Sequence, residues 1–135
     1  MDIAKLPRTE QIETLLTGPM DTPVVMLNLL KFNEQADGGE EGSGREAYGR
    51  YAQKMQEIVE GAGGRFLFIG SVDSHVIGDS DTDWDVVGLV EYPSRQAFLE
   101  IASSEEVARI GTSRSAGLAG QWLIACTEGI EAVVP

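Results

Sequence analysis

The stretch Val24-Val-Met-Leu-Asn-Leu-Leu-Lys-Phe32 decides the fold, because it is apolar on both faces of a strand. A β-branched start followed by a nearly continuous apolar run is typical of a strand that is covered on both sides. Asn28 interrupts this run and shares its side of the strand with four apolar residues: Val24, Met26, Leu30 and Phe32. An unpaired buried amide costs about 1–3 kcal/mol, so we expect Asn28 to form a hydrogen bond. A tyrosine hydroxyl, a ligand and a backbone carbonyl all remain open as its partner.

The elements around this strand form a recognisable order. Ser43-Gly-Arg-Glu46 has capping-box spacing and predicts the start of a long helix. The predicted elements are a short helix over 10–16 capped by Thr9, a strand over 24–32, the long helix from Ser43 to the glycines of 61–64, strands over 65–77 and 84–92, a helix over 95–102, a further turn or two opened by Ser103, and a strand over 118–127.

This order predicts an α+β fold of the ferredoxin-like βαββαβ type, with an extra N-terminal helix and an antiparallel four-stranded sheet. We expect a single domain over 1–135, made of an N-terminal helical extension (1–20) and a ferredoxin-like core (22–128). Both helices of such a core lie on one face of the sheet, yet Val86, Val87, Leu89 and Val90 are apolar on both faces of their strand. A second copy of the sheet would cover the bare face, so the sequence predicts a homodimer, a dimeric α/β barrel.

Charge and composition limit the class of partner. The net charge of -12 opposes nucleic acid and anionic lipid surfaces, so we expect neither nucleic acid nor a membrane as a partner. The N-terminus lacks a secretory pattern, and we expect a cytoplasmic protein. Cys126, the one cysteine, stands in an apolar run and predicts a packed, inert thiol. Residues 33–44, rich in glycine and acid, predict a mobile loop whose closure over a pocket the sequence leaves open.

Several short motifs together resemble a known family. They are Tyr48-Gly-Arg-Tyr51, Gly63-Gly64 before a strand, Tyr92-Pro-Ser94 before a helix, and Arg114 ahead of the last strand. Their order and spacing resemble domain-of-unknown-function family 1330, of the dimeric α/β-barrel superfamily, over roughly 24–127. This superfamily contains cofactor-independent monooxygenases, haem-degrading enzymes, lactone isomerases and binding proteins, so the resemblance implies the fold more than an activity. It also implies a pocket between the sheet and its helices, lined by the first strand and the long helix.

Two residues are candidates for catalysis. Asn28 could polarise a carbonyl or enolate oxygen in the pocket. His75 is the sole histidine and therefore the default general base, although its polar neighbours and its place near the end of a predicted strand favour a half-exposed position on a rim.

Four further residues are candidates for substrate binding. Tyr48 and Tyr51 lie on the apolar stripe of the long helix, where they are also expected as core residues. Trp84 could border a pocket mouth or a dimer interface. Arg114 could bind a carboxylate in bidentate fashion or pair with one of the many acids of the chain.

No cofactor or metal is expected. One histidine without clustered cysteines or carboxylates is not a ligand set, and Asp79, Asp81 and Asp83 lack the glycine and glutamate of a calcium loop. We do not expect haem to bind: Asn28, Trp84 and His75 resemble the residues of the haem-degrading members, but the order of the last two is reversed. Two function classes remain, a cofactor-independent enzyme acting on a small metabolite and a non-catalytic ligand-binding or structural dimer.

Overall fold

The computed structural model describes residues 5–79 and 81–134. Its elements are, in order, α1 (Thr9–Leu15), β1 (Val24–Phe32), α2 (Gly44–Gly61), β2 (Arg65–Ser71), β3 (Val86–Tyr92), α3 (Arg95–Ala102), α4 (Glu105–Gly117) and β4 (Leu118–Cys126), followed by a short 3-10 helix (Ile130–Ala132). Within the described residues no helix is both long enough and apolar enough to cross a membrane.

The four strands form one antiparallel sheet in the order β2-β3-β1-β4. This order, with one helix between β1 and β2 and helices again between β3 and β4, confirms the predicted ferredoxin-like fold. β1 lies between β3 and β4, which accounts for its nearly continuous apolar sequence.

The helices cover one face of the sheet, which we call the covered face. Residues directly opposite each other in antiparallel strands share a face, so every second residue of β1 and β3 points toward the helices. The main buried cluster contains Val24, Met26, Tyr51, Met55, Val59, Val90, Tyr92 and Ile101. A second, smaller buried cluster contains Leu30, Val86 and Leu118. Asn28 stands on the same face of β1, between Met26 and Leu30.

The start of α2 and the end of α4 cross in close backbone contact. Ser43 caps α2 as predicted, since its hydroxyl accepts from the Glu46 N–H at 3.1 Å and its own N–H donates to the Glu46 carboxylate at 3.0 Å. A Cβ added at Gly117 would lie 2.4 Å from the Gly44 carbonyl oxygen and 2.8 Å from the Tyr48 nitrogen. Only glycine therefore fits this crossing, which fixes the position of Tyr48.

The other face of the sheet, which we call the open face, is apolar and carries no helix from the part of the chain that the structure describes. Phe68 is 55% exposed and Ile124 is 42% exposed. The remaining apolar side chains of this face are Val25, Leu27, Leu29, Val87, Leu89 and Trp122, all half-buried. Salt bridges lie at its two ends, Lys31 with Asp85 at 3.7 Å and Arg65 with Glu91 at 3.2 Å.

Arg95 is the one buried charged residue in the part of the chain that the structure describes. Its guanidinium donates to the carbonyl oxygens of Pro19 and Leu15 at 3.1 and 3.0 Å, and to the Thr127 hydroxyl at 3.3 Å. These bonds tie the N-terminal extension to the start of α3 and the end of β4. The carbonyls at the end of α1 carry partial negative charge, which favours a cation there.

Three predicted boundaries are wrong. The predicted strand over 65–77 ends at Ser71, and its pairing with β3 is irregular between Phe66 and Phe68. β3 begins at Val86 rather than at Trp84, and beyond Ser71 the Val72 N–H still donates to the Asp85 carbonyl at 3.0 Å. The predicted turn or two after Ser103 is the full helix α4, capped by Ser104.

Two smaller expectations also differ from the structure. α1 includes Thr9, so the position before the helix is occupied by Arg8 rather than by the predicted threonine cap. Cys126 is exposed at the end of β4 rather than packed, because it lies on the open face.

The acidic segment between β1 and α2 is tied to the helices. Glu40 accepts hydrogen bonds from Arg50 of α2 at 3.1 Å and from the Ser113 hydroxyl of α4 at 2.9 Å. The bond from Ser113 and then that from Arg50 hold the pKa of Glu40 below its usual value. The Asp37 N–H also donates to the Ala116 carbonyl at 3.0 Å. The segment predicted as a mobile loop therefore has fixed partners on both helices.

Candidate functional site

Asn28 belongs to a chain of hydrogen bonds that runs from the sheet to the N-terminal extension. The Arg114 guanidinium donates to the Gln121 side-chain oxygen at 2.6 Å and to the Lys5 carbonyl at 2.7 Å. The Gln121 amide donates to the Asn28 oxygen at 2.8 Å, and the Asn28 amide donates to the Met26 carbonyl at 3.1 Å. Both polar atoms of Asn28 therefore have protein partners, one of them a backbone carbonyl. This arrangement favours the structural interpretation of the asparagine over a role in a ligand pocket.

The three tyrosines of the chain stand close to this hydrogen-bonded group. The rings of Tyr48 and Tyr51 lie 5.3 Å apart. Burial raises the pKa of both tyrosines above the ordinary value, and the positive charge of Arg114 partly offsets the rise. Burial also raises the pKa of Tyr92, and the nearby Tyr51 raises it further. At neutral pH these phenols are therefore uncharged, which suits packing more than proton transfer.

His75 and Trp84 lie away from Asn28. His75 is exposed in the segment between β2 and β3, four residues beyond the end of β2. Trp84 is buried against Trp122, with ring centroids 5.6 Å apart, and Trp122 belongs to the open face. The structure thus brings together Asn28, Tyr48, Tyr51 and Arg114 but leaves out His75 and Trp84.

An open depression of about 260 Å³, which we call the α2 cavity, lies between α2 and the sheet on the covered face. Gly49 and Ala52 provide space on the helix side, because a Cβ added at Gly49 would meet no atom within 4 Å. The residues that line the cavity are Leu30, Phe32, Arg45, Tyr48, Gly49, Ala52, Ile69, Gly70, Ser71 and Val86. A depression of about 280 Å³ between α2 and β2 adjoins it and shares Ala52 and Ile69. Among the predicted site residues, Tyr48 alone lines this cavity.

Arg45 is the one charged residue in the cavity wall. Its guanidinium carbon lies 5.0 Å from the centroid of the Phe32 ring, within the range of a cation–π contact. Its side chain forms no salt bridge with any residue in the described ranges. Because Arg45 is exposed, its charge stands at the mouth of an otherwise apolar cavity.

The resemblance implied a pocket lined by the first strand and the long helix, and Leu30 and Phe32 of β1 and Tyr48 of α2 do line this cavity. Sequence reasoning missed Arg45 and Gly49 in its wall, although a signal for them exists. Arg45, Tyr48, Gly49 and Ala52 follow one another at helical spacing and so lie on one side of α2. Two small residues beside a tyrosine on the sheet-facing side of a helix indicate a gap in the core. The opposite wall depends on the register of β2, which the sequence did not reveal.

The described part of the chain holds no group of three His, Cys, Asp or Glu side chains that could bind a metal ion. The candidate chemistry therefore rests on the arginines, the tyrosines and the apolar cavity wall.

Comparisons with known proteins agree with the fold and leave the activity open. Residues 42–127 match the family described as "Domain of unknown function (DUF1330)". The chain is similar to the crystal structure of the RPA0582 protein of unknown function from Rhodopseudomonas palustris, with a TM-score of 0.85, 27% identity and coverage of 95% of this chain and 98% of that one. It is also similar to the structure of the methylated RPA0582 protein, with a TM-score of 0.85, 28% identity and coverage of 96% and 97%. No curated protein matches the chain.

Proposed function

The chain belongs to the DUF1330 family, and we propose that it is a homodimeric protein that binds a small molecule, without catalysis, in the cavity between α2 and the sheet. The observation that carries this proposal is the cavity itself, with one unpaired arginine at its mouth. Small-molecule sites are concave and mostly apolar, with few polar groups that set the orientation of the ligand.

The size of the cavity suits a small metabolite. Ligand pockets commonly enclose roughly 300–1,000 Å³, and this one is slightly smaller at about 260 Å³. An apolar cavity of about 150 Å³ is enough to hold benzene. One ring with a short substituent, or an aliphatic chain of similar volume, would therefore fill the space.

The open face supports a homodimer. An apolar sheet centre with salt bridges at both ends has the layout of a protein interface, apolar in the middle and polar at the rim. A second copy would bury Phe68 and Ile124 and would cover the exposed thiol of Cys126. Trp84 and Trp122 would then lie at the edge of the interface rather than in a substrate site.

The enzyme hypothesis has weaker support. It required Asn28 and His75 to meet in one cavity, but neither of them lines the cavity described above. Asn28 is hydrogen bonded to Met26 and Gln121, so it would have to release a partner before it could polarise a substrate oxygen. Arg114 likewise donates from one terminal nitrogen to two neutral acceptors, the Lys5 carbonyl and the Gln121 side chain, so these partners are structural rather than catalytic.

The proposal that the cavity binds a ligand is tested by filling the cavity with a side chain. Gly49→Leu places a side chain in the open space, and Gly111→Leu is its matched control, because Gly111 is also a helical glycine with no atom near an added Cβ. NMR titration with a library of small fragments should shift the backbone amides of Gly49, Ala52 and Ile69 in the wild type and in Gly111→Leu. The Gly49→Leu variant should lose these shifts. Shifts that persist in Gly49→Leu, or that never occur at these amides, would contradict the proposal.

A further inference from the structure

We infer that the ligand of the α2 cavity is a small monocarboxylate with a compact apolar body, whose carboxylate binds to the guanidinium of Arg45. This inference rests on the proposed function, since it names the ligand class of the same cavity. Three features of the molecule support it: the missing acidic partner of Arg45, the place of Arg45 on its helix, and the composition of the cavity wall.

Arg45 has no acidic partner among the described residues, whereas four other basic residues, Arg8, Lys31, Arg50 and Arg65, each form a salt bridge. The chain carries 22 acidic and 10 basic residues, so acids are abundant. Arg50, on the same helix, pairs with Glu40, and Lys31 and Arg65 pair with acids on the sheet. The Arg45 guanidinium instead contacts the Phe32 ring at 5.0 Å. Such a contact leaves hydrogen-bond donors of the planar guanidinium available to a bidentate acceptor.

The place of Arg45 on the helix does not explain its charge. Arg45 is in the first turn of α2, which begins at Gly44. A helix N-terminus carries partial positive charge, so a cation there weakens the helix slightly and an acid would strengthen it. Glu46, the next residue, already occupies the capping box. The charge of Arg45 therefore does not stabilise the start of α2, and it stands beside the partial positive charge of the helix N-terminus at the cavity mouth.

The composition of the cavity wall determines which apolar body the ligand can have. Leu30, Ile69 and Val86 line its sheet side, and they suit a ring or a short branched chain. The single guanidinium of Arg45 can balance one negative charge on the ligand. The net charge of -12 opposes any further charge on the ligand, so a dicarboxylate or a phosphate would be disfavoured.

The experiment compares acids with their neutral amides. Wild-type chain is titrated at pH 7 and constant ionic strength with benzoate, hexanoate, benzamide and hexanamide, each up to its solubility limit, while the amide shifts of Gly49, Ala52 and Ile69 are followed by NMR. We expect each acid to bind about two- to fivefold more tightly than its amide, the range of a solvent-accessible ion pair. Arg45→Gln should remove this preference and leave the affinity for the amides unchanged. Arg109→Gln, which changes the net charge equally but lies outside the cavity wall, should retain it.

The outcomes separate the two proposals. If acids and amides bind equally, or if Arg45→Gln keeps the preference for acids, the ligand class is wrong. The cavity itself still stands in that case, provided that Gly49→Leu blocks both kinds of probe. If no probe shifts the cavity amides in the wild type, both proposals fail.

Discussion

The two faces of the sheet are similar in composition but differ in their surroundings. On the covered face, Val24, Met26 and Val90 are buried under α2 and α3. On the open face, Leu27, Leu89 and Phe68 are equally apolar and remain partly exposed. Apolar side chains on a strand therefore indicate that a face will be covered, while the covering layer depends on the rest of the assembly. We propose a second copy as that layer on the open face.

The largest effect is expected on the covered face, at the crossing of α2 and α4. Gly117→Ala would bring a methyl group against two backbone atoms, the Gly44 carbonyl oxygen and the Tyr48 nitrogen, which cannot move aside without shifting a helix. We expect a loss of about 3 kcal/mol in the free energy of unfolding, measured by urea denaturation. Gly111→Ala, in the same helix but in open space, should instead gain about 0.5–1 kcal/mol. Equal stability of the two variants would show that the helices do not cross closely.

A charge in the middle of the open face should act on association rather than on folding. Leu89 lies opposite Leu27 on one side and Phe68 on the other. Leu89→Lys would bury an unpaired ammonium in the proposed interface, and we expect the dimer dissociation constant to rise at least about a hundredfold, measured by analytical ultracentrifugation. Val76→Lys, at a fully solvent-exposed position outside the sheet, is the control and should leave the dimer intact. A monomeric wild type at all concentrations would refute the homodimer.

The hydrogen-bonded group beneath the helices should have a smaller effect. Arg114→Met removes the donor to Gln121 and to the Lys5 carbonyl, and we expect a loss of about 1–2 kcal/mol in the free energy of unfolding. Arg109→Met on the same helix is the control, expected to remain within about 0.5 kcal/mol of wild type. An unchanged stability of Arg114→Met would mean that these bonds merely replace bonds to water.

Local signals in the sequence predicted the elements well. The capping box at Ser43 fixed the start of α2, because both of its bonds join residues three apart. The long-range partners were not predictable in this way. Asn28 was placed on the correct side of β1, but its partner Gln121 lies 93 residues away and pairs with Leu30, so it reaches Asn28 diagonally across the two strands.

The errors have physical causes as well. The pairing of β2 with β3 ends at Ser71 and Val86, with one further bond from the Val72 N–H to the Asp85 carbonyl, so His75 falls in an exposed segment beyond it. α4 contains Gly111 and several serines, which are poor helix formers, and its packing against α2 sustains it. Cys126 has apolar neighbours, but they belong to the open face, so the apolar run around it gave no burial within one chain.

The smallest effect at neutral pH is expected from Tyr51→Phe, because the Tyr51 hydroxyl has no hydrogen-bond partner in the described ranges. The Tyr51→Phe variant is most informative at alkaline pH. Burial raises the pKa of Tyr51 above the ordinary value of 10.0, so the folded state holds this proton more tightly than the unfolded state does. The resulting stability is present in full below about pH 10 and is lost as the pH rises through the raised pKa. Urea denaturation from about pH 8 to about pH 11 should therefore show a falling free energy of unfolding, with a shallower fall in Tyr51→Phe.

Tyrosinate absorbance should also rise together with unfolding rather than before it, because all three tyrosines of the chain have raised pKa values on the covered face. Tyrosinate that forms while the chain is still folded would show that this face admits water to the phenols, and the contrast between the two faces would then be weaker than the structure indicates.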